Sequence, residues 1–107
     1  MIQPGKTVRG SKTGRPIMAL FDLVGRRWTL RLLWELRQGP LGFRALQERC
    51  DEVSPTSLSQ RLKELRAAGV IEPMDGAVVL SREGKALLKA LAPLQKWAER
   101  WAERASR

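Results

Sequence analysis

The sequence lacks histidine entirely, and Cys50 is its single cysteine. Without histidine, neither a Ser–His nor a Cys–His nucleophilic pair can form, and a zinc site would have to be assembled from scattered carboxylates. A glycine-rich phosphate loop and closely spaced paired carboxylates are also missing. We therefore expect a protein that is not an enzyme and that uses no metal and no cofactor.

The scarcity of cysteine also indicates a location. A single cysteine cannot form an intrachain disulfide, which is typical of proteins in the reducing cytoplasm. Most lone cysteines are small buried apolar residues, and we expect this of Cys50, with a sensing role as the alternative. No apolar run approaches the ~20 residues of a membrane span, and the charged N-terminus lacks the apolar segment of a secretory signal. We predict a cytoplasmic protein without a membrane partner.

Acidic residues are few compared with basic ones. Twenty Lys and Arg stand against eleven Asp and Glu, which gives a net charge of +9 in 107 residues. Such a charge in a short chain is typical of proteins that bind a polyanion, although a solvated basic surface without a partner would show it too.

Chain length and charge distribution predict one folded domain with a basic extension. A chain of 107 residues suits a single domain. Residues 1–15 contain basic residues and three glycines but no acid, so we predict a flexible basic N-terminal arm there and a domain over residues 16–107. The basic residues of the arm are Lys6, Arg9, Lys12 and Arg15.

Helical periodicity and capping residues predict four helices before residue 70. The predicted helices run from Pro16 to Gly25, from about Trp28 to Gln38, from about Phe43 to Cys50 and from Pro55 to about Ala68. Ser54 is placed to cap the fourth helix, and Gly69 to end it in the left-handed conformation. In the short third helix, Phe43, Leu46 and Cys50 are expected to face inward.

A β-hairpin and a last helix are predicted after the fourth helix. Asp75-Gly76 separates two β-prone runs, which is a strong signal for a tight hairpin. Ser81 can cap the last helix, and Pro93 should kink or interrupt it. The predicted fold is mainly α with a small β-hairpin. This order of elements is that of a winged helix-turn-helix, in which a hairpin flanks the reading helix.

The fourth helix has two contrasting sides. Leu58, Leu62 and Leu65 form its core stripe; Thr56, Gln60 and Lys63 lie opposite, with Ser57, Ser59, Arg61 and Glu64 on the flanks. Short polar side chains near a helix N-terminus can approach base edges in the major groove, and basic ones further along can reach guanine or phosphate. An ordinary surface helix would be polar outside too, so the element order and the net charge carry this interpretation.

Further basic residues are candidates for phosphate contacts. They are Arg26, Arg27, Arg44 and Arg49, together with Arg82 just after the hairpin. The hairpin tip, Asp75-Gly76, carries a negative charge and no cation, which argues against deep insertion of the wing into the minor groove.

Aromatic stripes indicate a subunit contact. Trp97 and Trp101 are four residues apart near the C-terminus, and Leu30 and Trp34 lie opposite the core face of the second helix. Either the last helix folds back over Trp34, or two chains pair through these faces. We predict a homodimer because paired reading helices match two-fold operators. Trp28 is expected in the core of its own chain.

Four segments of the chain resemble the HxlR-type winged helix-turn-helix regulators. They are residues 23–36 (LVGRRWTLRLLWEL), 39–46 (GPLGFRAL), 54–71 (SPTSLSQRLKELRAAGVI) and 80–87 (LSREGKAL). The most specific parts are the Gly-x-x-Trp-Thr start and the Ser-Pro…Leu-x-x-Arg-Leu-x-x-Leu string. The resemblance implies a dimeric bacterial transcription factor, often a repressor and sometimes an activator.

The resemblance also implies which helices form the dimer and which residues contact DNA. Dimerisation would use the first and last helices. Taken with the aromatic stripes described above, this leads us to predict Leu20, Trp34, Leu94, Trp97 and Trp101 at the interface. The DNA-facing residues carried over are Pro55, Thr56, Ser57, Gln60, Arg61 and Lys63. Many members have a redox-sensing cysteine directly before the first-helix proline, where this chain has Arg15, and many have a longer, basic wing.

Together these observations predict a sequence-specific double-stranded DNA-binding regulator. We expect a homodimeric repressor on a pseudo-palindromic operator, nucleoid-associated when bound to DNA. The alternative is a winged helix that serves as a protein–protein interaction module without specific DNA binding, which the cation-free wing tip favours. The sequence also leaves open whether an unknown small-molecule effector binds in a cavity at the dimer interface.

Overall fold

A computed structural model of the protein describes residues 14–106. The helices are α1 (Pro16–Val24), α2 (Thr29–Glu35), α3 (Phe43–Arg49), α4 (Pro55–Ala67), α5 (Arg82–Leu91) and α6 (Pro93–Ala105), and the strands are β1 (Ile71–Met74) and β2 (Ala77–Leu80). A short 3-10 turn, Leu36–Gln38, extends α2. The predicted winged helix-turn-helix fold is confirmed. Most of the predicted basic arm, residues 1–13, lies outside the described residues.

The core is built from one apolar stripe of each central element. Fully buried leucines of α2, α3 and α4 meet at its centre, and half-buried Leu62 and Trp28 pack against them. These central leucines are Leu32, Leu33, Leu46, Leu58 and Leu65. Burying one such side chain stabilises a fold by roughly 1.5–3 kcal/mol. The core therefore determines which side of α4 faces solvent.

The turn between α3 and α4 is locked by local hydrogen bonds. Asp51 and Glu52 both adopt left-handed torsions, with φ of 54° and 57°. The Glu52 amide donates to the Gln47 carbonyl at 2.8 Å, and the Gln47 side chain donates to the Val53 carbonyl at 3.1 Å. The Ser54 hydroxyl then accepts from an amide of the first turn of α4 at 3.1 Å, which confirms the predicted cap.

The wing is an antiparallel hairpin with a two-residue tip. Asp75 and Gly76 both have positive φ, 48° and 80°, as a type I′ turn requires. Leu41 adds a single-residue bridge to the hairpin, since Leu41 and Val78 exchange backbone hydrogen bonds of 2.9 and 3.0 Å. This bridge ties the wing to the start of the helix-turn-helix.

Two details differ from the sequence-based prediction. The second helix begins at Thr29 rather than Trp28, because Trp28 has a left-handed backbone (φ 77°) and occupies the N-cap position. Its ring packs on the core. The prediction that Phe43 faces inward is wrong. As the first residue of α3 it lies beside the wing, near Pro73, and stays 40% exposed.

The chain breaks its last helical segment at Pro93, as predicted. Pro93 has no N–H to donate, so α5 ends at Leu91 and α6 begins as a separate helix. No residue of α6 between Pro93 and Ala105 is buried within the chain. In the part of the chain from residue 14 to residue 106, no helix combines the length and apolarity needed to cross a bilayer.

The start of α5 is packed tightly against the end of α4. The Ser81 hydroxyl accepts from the Gly84 amide at 3.0 Å and donates to the Gly69 carbonyl at 2.6 Å. Gly84 is buried, and a Cβ atom there would collide with the backbone carbonyl of Val70. Glycine is therefore required by close approach of two backbones, not by its torsion angles.

Substitution Gly84→Ala tests this packing. In an open helix Gly→Ala stabilises by up to ~1 kcal/mol, but here we expect destabilisation of about 1–3 kcal/mol from overpacking. Urea denaturation followed by circular dichroism measures the difference. Gly42→Ala is the control, because its Cβ would meet open space. Since Gly42 is the N-cap residue of α3, where alanine is less favourable, we expect a smaller loss, below about 1 kcal/mol. Equal effects of the two substitutions would contradict the packing described.

Candidate nucleic-acid interface

The outward side of α4 is a continuous polar surface that the chain itself does not cover. It consists of Pro55, Thr56, Ser57, Ser59, Gln60 and Lys63, here called the reading face. All of these residues except half-buried Ser57 are exposed, and five of them line one shallow depression. Because Leu58 and Leu65 are fully buried on the other side, α4 cannot turn this face inward without losing its core contacts.

A largely buried carboxylate lies beside the reading face. The Glu64 side chain is only 14% exposed, and it meets two guanidinium groups, at 2.7 Å for Arg26 and 2.9 Å for Arg61. Arg26 also pairs with Asp22 on α1 at 2.9 Å. The Gln60 side-chain amide donates to Glu64 Oε2 at 2.9 Å. These contacts, here called the Glu64 network, connect α1 to the middle of α4.

Opposing influences act on the ionisation of Glu64. Burial by itself raises the pKa of this carboxyl, since it removes water from the charged form. The hydrogen bond from Gln60 and the charges of Arg26 and Arg61 outweigh burial, so that the pKa of Glu64 lies below its ordinary value. Glu64 is therefore a carboxylate at neutral pH and can only accept hydrogen bonds.

The structure separates the predicted contact residues of α4 into two groups. Thr56, Gln60 and Lys63 lie together on the reading face, as do Pro55 and Ser57. Arg61 is instead half-buried and paired with Glu64. Its predicted DNA contact is untested, and in the free chain its charge is already neutralised.

The remaining predicted cations differ in how free they are. Arg27 and Arg82 are exposed, and the Arg27 guanidinium lies 5.4 Å from the centre of the Trp28 ring. Arg44 is exposed within ion-pair distance of Glu48, at 3.3 Å. Arg26, by contrast, is committed to the Glu64 network. These two ion pairs give Arg26 a structural role, and its guanidinium is not available for a phosphate contact in this arrangement.

Arg49 and Cys50 lie at the end of α3. The Arg49 guanidinium reaches Glu35 at 3.5 Å, while its carbonyl accepts from Arg31 at 2.6 Å. Cys50 is fully buried in the core, as expected for a small apolar residue. Burial raises the pKa of the Cys50 thiol, which keeps it protonated and unreactive at neutral pH.

The Glu64 network was missed by reasoning from the sequence. The Gln60–Glu64 spacing of four residues is a readable signal, because such pairs are neighbours on a helix surface. The approach of Arg26 is not readable, since it depends on how α1 packs beside α4. The functional consequence is that the reading face is backed by an ion-pair network and is not simply a solvated helix side.

Apolar surface is exposed on the side formed by α2 and α6. The Trp97 and Trp101 rings stack with centroids 5.5 Å apart, and these side chains are 53% and 62% exposed. A groove of about 650 Å³ lies beside them, lined by Leu30, Trp34, Leu88, Leu91 and Leu94 among others. The predicted interface residue Leu20, on α1, is half-buried and lines a separate cleft between α1 and α5.

Substitution Glu64→Gln tests the network through stability. It removes the negative charge that Arg26 and Arg61 face. We therefore expect the free energy of unfolding at pH 7 to fall by about 1.5–3 kcal/mol. Because the folded-state pKa is lowered, this contribution is present above the ordinary glutamate pKa, about 4.3. It is lost as the pH falls through the lowered value. Denaturation of both proteins from pH 7 to pH 2.5 should show the difference shrinking in acid; a constant difference would contradict the ionised network.

The chain is similar in sequence to known proteins over most of its length. The sequence profile described as HxlR-like helix-turn-helix matches residues 23–106. The HTH-type transcriptional regulator YvaP of Bacillus subtilis is 30% identical over 89 residues, covering 77% of this chain and 82% of that protein. The regulator YodB of the same organism is also 30% identical, over 90 residues, covering 78% of this chain and 80% of that protein.

Solved structures show the same fold. The crystal structure of quinone-bound YodB superposes with a TM-score of 0.73 at 30% identity, covering 78% of this chain and 96% of that one. A regulator of the MarR family from Enterococcus faecalis V583 superposes with a TM-score of 0.72 at 26% identity, covering 95% and 99%. The matched relatives are named as transcriptional regulators of the helix-turn-helix type. The chain therefore belongs to the HxlR-like helix-turn-helix family and is a DNA-binding transcriptional regulator with a winged-helix fold.

Proposed function

We propose that the protein represses transcription as a homodimer that binds a pseudo-palindromic duplex operator. The observation that carries the proposal is the reading face of α4, which is polar, partly cationic and uncovered by its own chain. Repression needs only occupancy of promoter DNA, whereas activation needs an additional contact with the polymerase. The proposal therefore takes repression as the simpler consequence of binding.

The reading face offers the chemistry that a major-groove contact needs. Pro55, Thr56 and Ser57 are small and stand at the N-terminal end of α4, where a helix comes closest to base edges. Gln60 and Lys63 follow one and two turns later and can reach bases or phosphates. Arg27, Arg44 and Arg82 would add phosphate contacts from three other parts of the chain, and Arg61 would join them if it left Glu64 on binding.

The unpartnered apolar surface supports pairing of two chains. Trp97 and Trp101 stand on a helix without a buried residue, beside the groove that contains Trp34 and Leu94. A soluble monomer rarely exposes several large apolar side chains together. Stable pairing needs roughly 800 Å² buried on each partner, so we expect the groove and Leu20 on α1 to take part in the interface together with the stripe.

An apolar cleft supports a small-molecule effector as part of the proposal. It has a volume of about 390 Å³, between α1 and α5, and its lining includes Leu20, Leu23 and Glu83. Pockets for small ligands measure about 300–1,000 Å³. Because Leu20 also belongs to the proposed dimer interface, a ligand in this cleft would alter the spacing of the two reading helices.

Duplex titration tests the DNA-binding proposal. With about 6–10 phosphates neutralised, affinity should fall by roughly 10³–10⁵ between 50 and 200 mM salt. Lys63→Ala should weaken operator binding about 5- to 150-fold, which corresponds to ~1–3 kcal/mol. Lys96→Ala is the matched control, since it removes the same charge from the polar side of α6 and should change affinity less than about twofold. Fluorescence anisotropy measures all three proteins.

The same titration separates the proposal from its alternative. An equal loss of DNA affinity in the Lys63 and Lys96 variants would mean that the protein binds DNA through its net charge and not through the reading face. Binding without any dependence on salt, or no binding to any duplex, would favour the protein–protein interaction module instead.

Sedimentation velocity tests the dimer. The double substitution Trp97→Ala and Trp101→Ala should convert the dimer to a folded monomer, because both rings are more than half exposed and contribute little to the core of the chain. Met74→Ala is the control: its side chain is similarly exposed but stands at the wing, away from α6. A Trp variant that remains dimeric would remove α6 from the interface.

A further inference from the structure

The side-chain amide of Gln60 is held in one orientation although the residue is exposed. Its Nε2 donates to Glu64 Oε2 at 2.9 Å. An amide has a donor end and an acceptor end, and a free glutamine can present either of them to a base. The hydrogen bond to Glu64 commits one N–H of the amide and therefore turns the Oε1 end away from the carboxylate.

The orientation is imposed by Glu64 because that side chain cannot follow the amide. Its carboxylate is held by Arg26 at 2.7 Å and by Arg61 at 2.9 and 3.1 Å, and only 14% of it is exposed. A carboxylate has no proton to donate, so the reversed amide would place two acceptor oxygens against each other. Gln60 therefore presents Oε1 to the groove, with its second N–H beside it.

The major groove distinguishes bases by such donor and acceptor patterns. Adenine offers the N6 amino group as a donor and N7 as an acceptor, and cytosine offers the N4 amino group. Guanine and thymine offer acceptors, at O6 and N7 and at O4. A fixed Oε1 with one free N–H beside it matches adenine at both points, whereas it can make only one hydrogen bond with cytosine, guanine or thymine.

We propose that Glu64 is a positioning residue that fixes the Gln60 amide with Oε1 and one N–H facing the groove, so that α4 reads adenine on the contacted strand. The inference rests on the proposed DNA-binding function of the reading face. Glu64 acts through Gln60 and does not itself touch DNA. The same network attaches Gln60 to Arg26 and Asp22, so its orientation is set by the packing of α1.

Selection of duplexes from a random pool tests the proposal with the full chain. The wild type should enrich adenine at one position of each half-site, about 5- to 150-fold over guanine or thymine. In Gln60→Ala this preference should vanish at that position alone. In Glu64→Gln the neutral partner accepts either amide orientation, and the reversed amide presents two N–H groups that match O6 and N7 of guanine. Guanine should therefore rise to within about threefold of adenine. Glu64→Asp, too short to reach Gln60, should relax the same position.

A matched control separates orientation from loss of charge. Glu99→Gln changes an exposed glutamate on α6 that bonds Gln95 at 3.5 Å with the same four-residue spacing, and it should leave every position of the site unchanged. An unchanged preference in both Glu64 variants would overturn the inference while leaving DNA binding intact. A guanine or thymine preference in the wild type would overturn it too. Failure of the wild type to enrich any duplex would overturn the proposed function and this inference together.

Discussion

Burial of the leucine stripe of α4 is the constraint on which the rest of the structure depends. Leu58 and Leu65 are fully enclosed between α2, α3 and the wing, so the helix has one rotational setting. That setting places Thr56, Gln60 and Lys63 together on the outside. Since the core belongs to all central elements at once, a change in any of them would displace the reading face as a unit.

The reading face differs from an ordinary amphipathic helix in what supports it. A solvated side chain samples several rotamers, and each must be fixed when a base is bound, at a cost in entropy. The Glu64 network fixes Gln60 before binding, with charges that are largely shielded from water. Ion pairs of this kind add little net stability, since removing their charges from water offsets much of the attraction. Deleting one partner is nevertheless costly, because the other charges then stay buried and unpaired.

Two separate parts of the surface correspond to the two contacts proposed for this regulator, one with DNA and one with a second chain. The reading face lies on α4, the exposed tryptophans lie on α6, and the apolar groove is lined by residues of α2, α5 and the start of α6. On the proposed pseudo-palindromic operator, a single chain would contact only one half-site. The proposed pairing through the apolar surface would place two reading faces on one duplex and would in this way link the two surfaces.

Much of this protein was determined by the sequence through short-range rules. Ser54 and Ser81 cap helices, Asp75-Gly76 forms the tight turn and Pro93 divides the last helix, each through contacts within a few residues. Other features were decided only by tertiary structure. The left-handed Trp28, the exposed Phe43 and the approach of Arg26 to Glu64 arise from packing between elements distant along the chain. Backbone capping and turn formation are local, whereas burial and ion pairing depend on which surfaces the whole fold brings together.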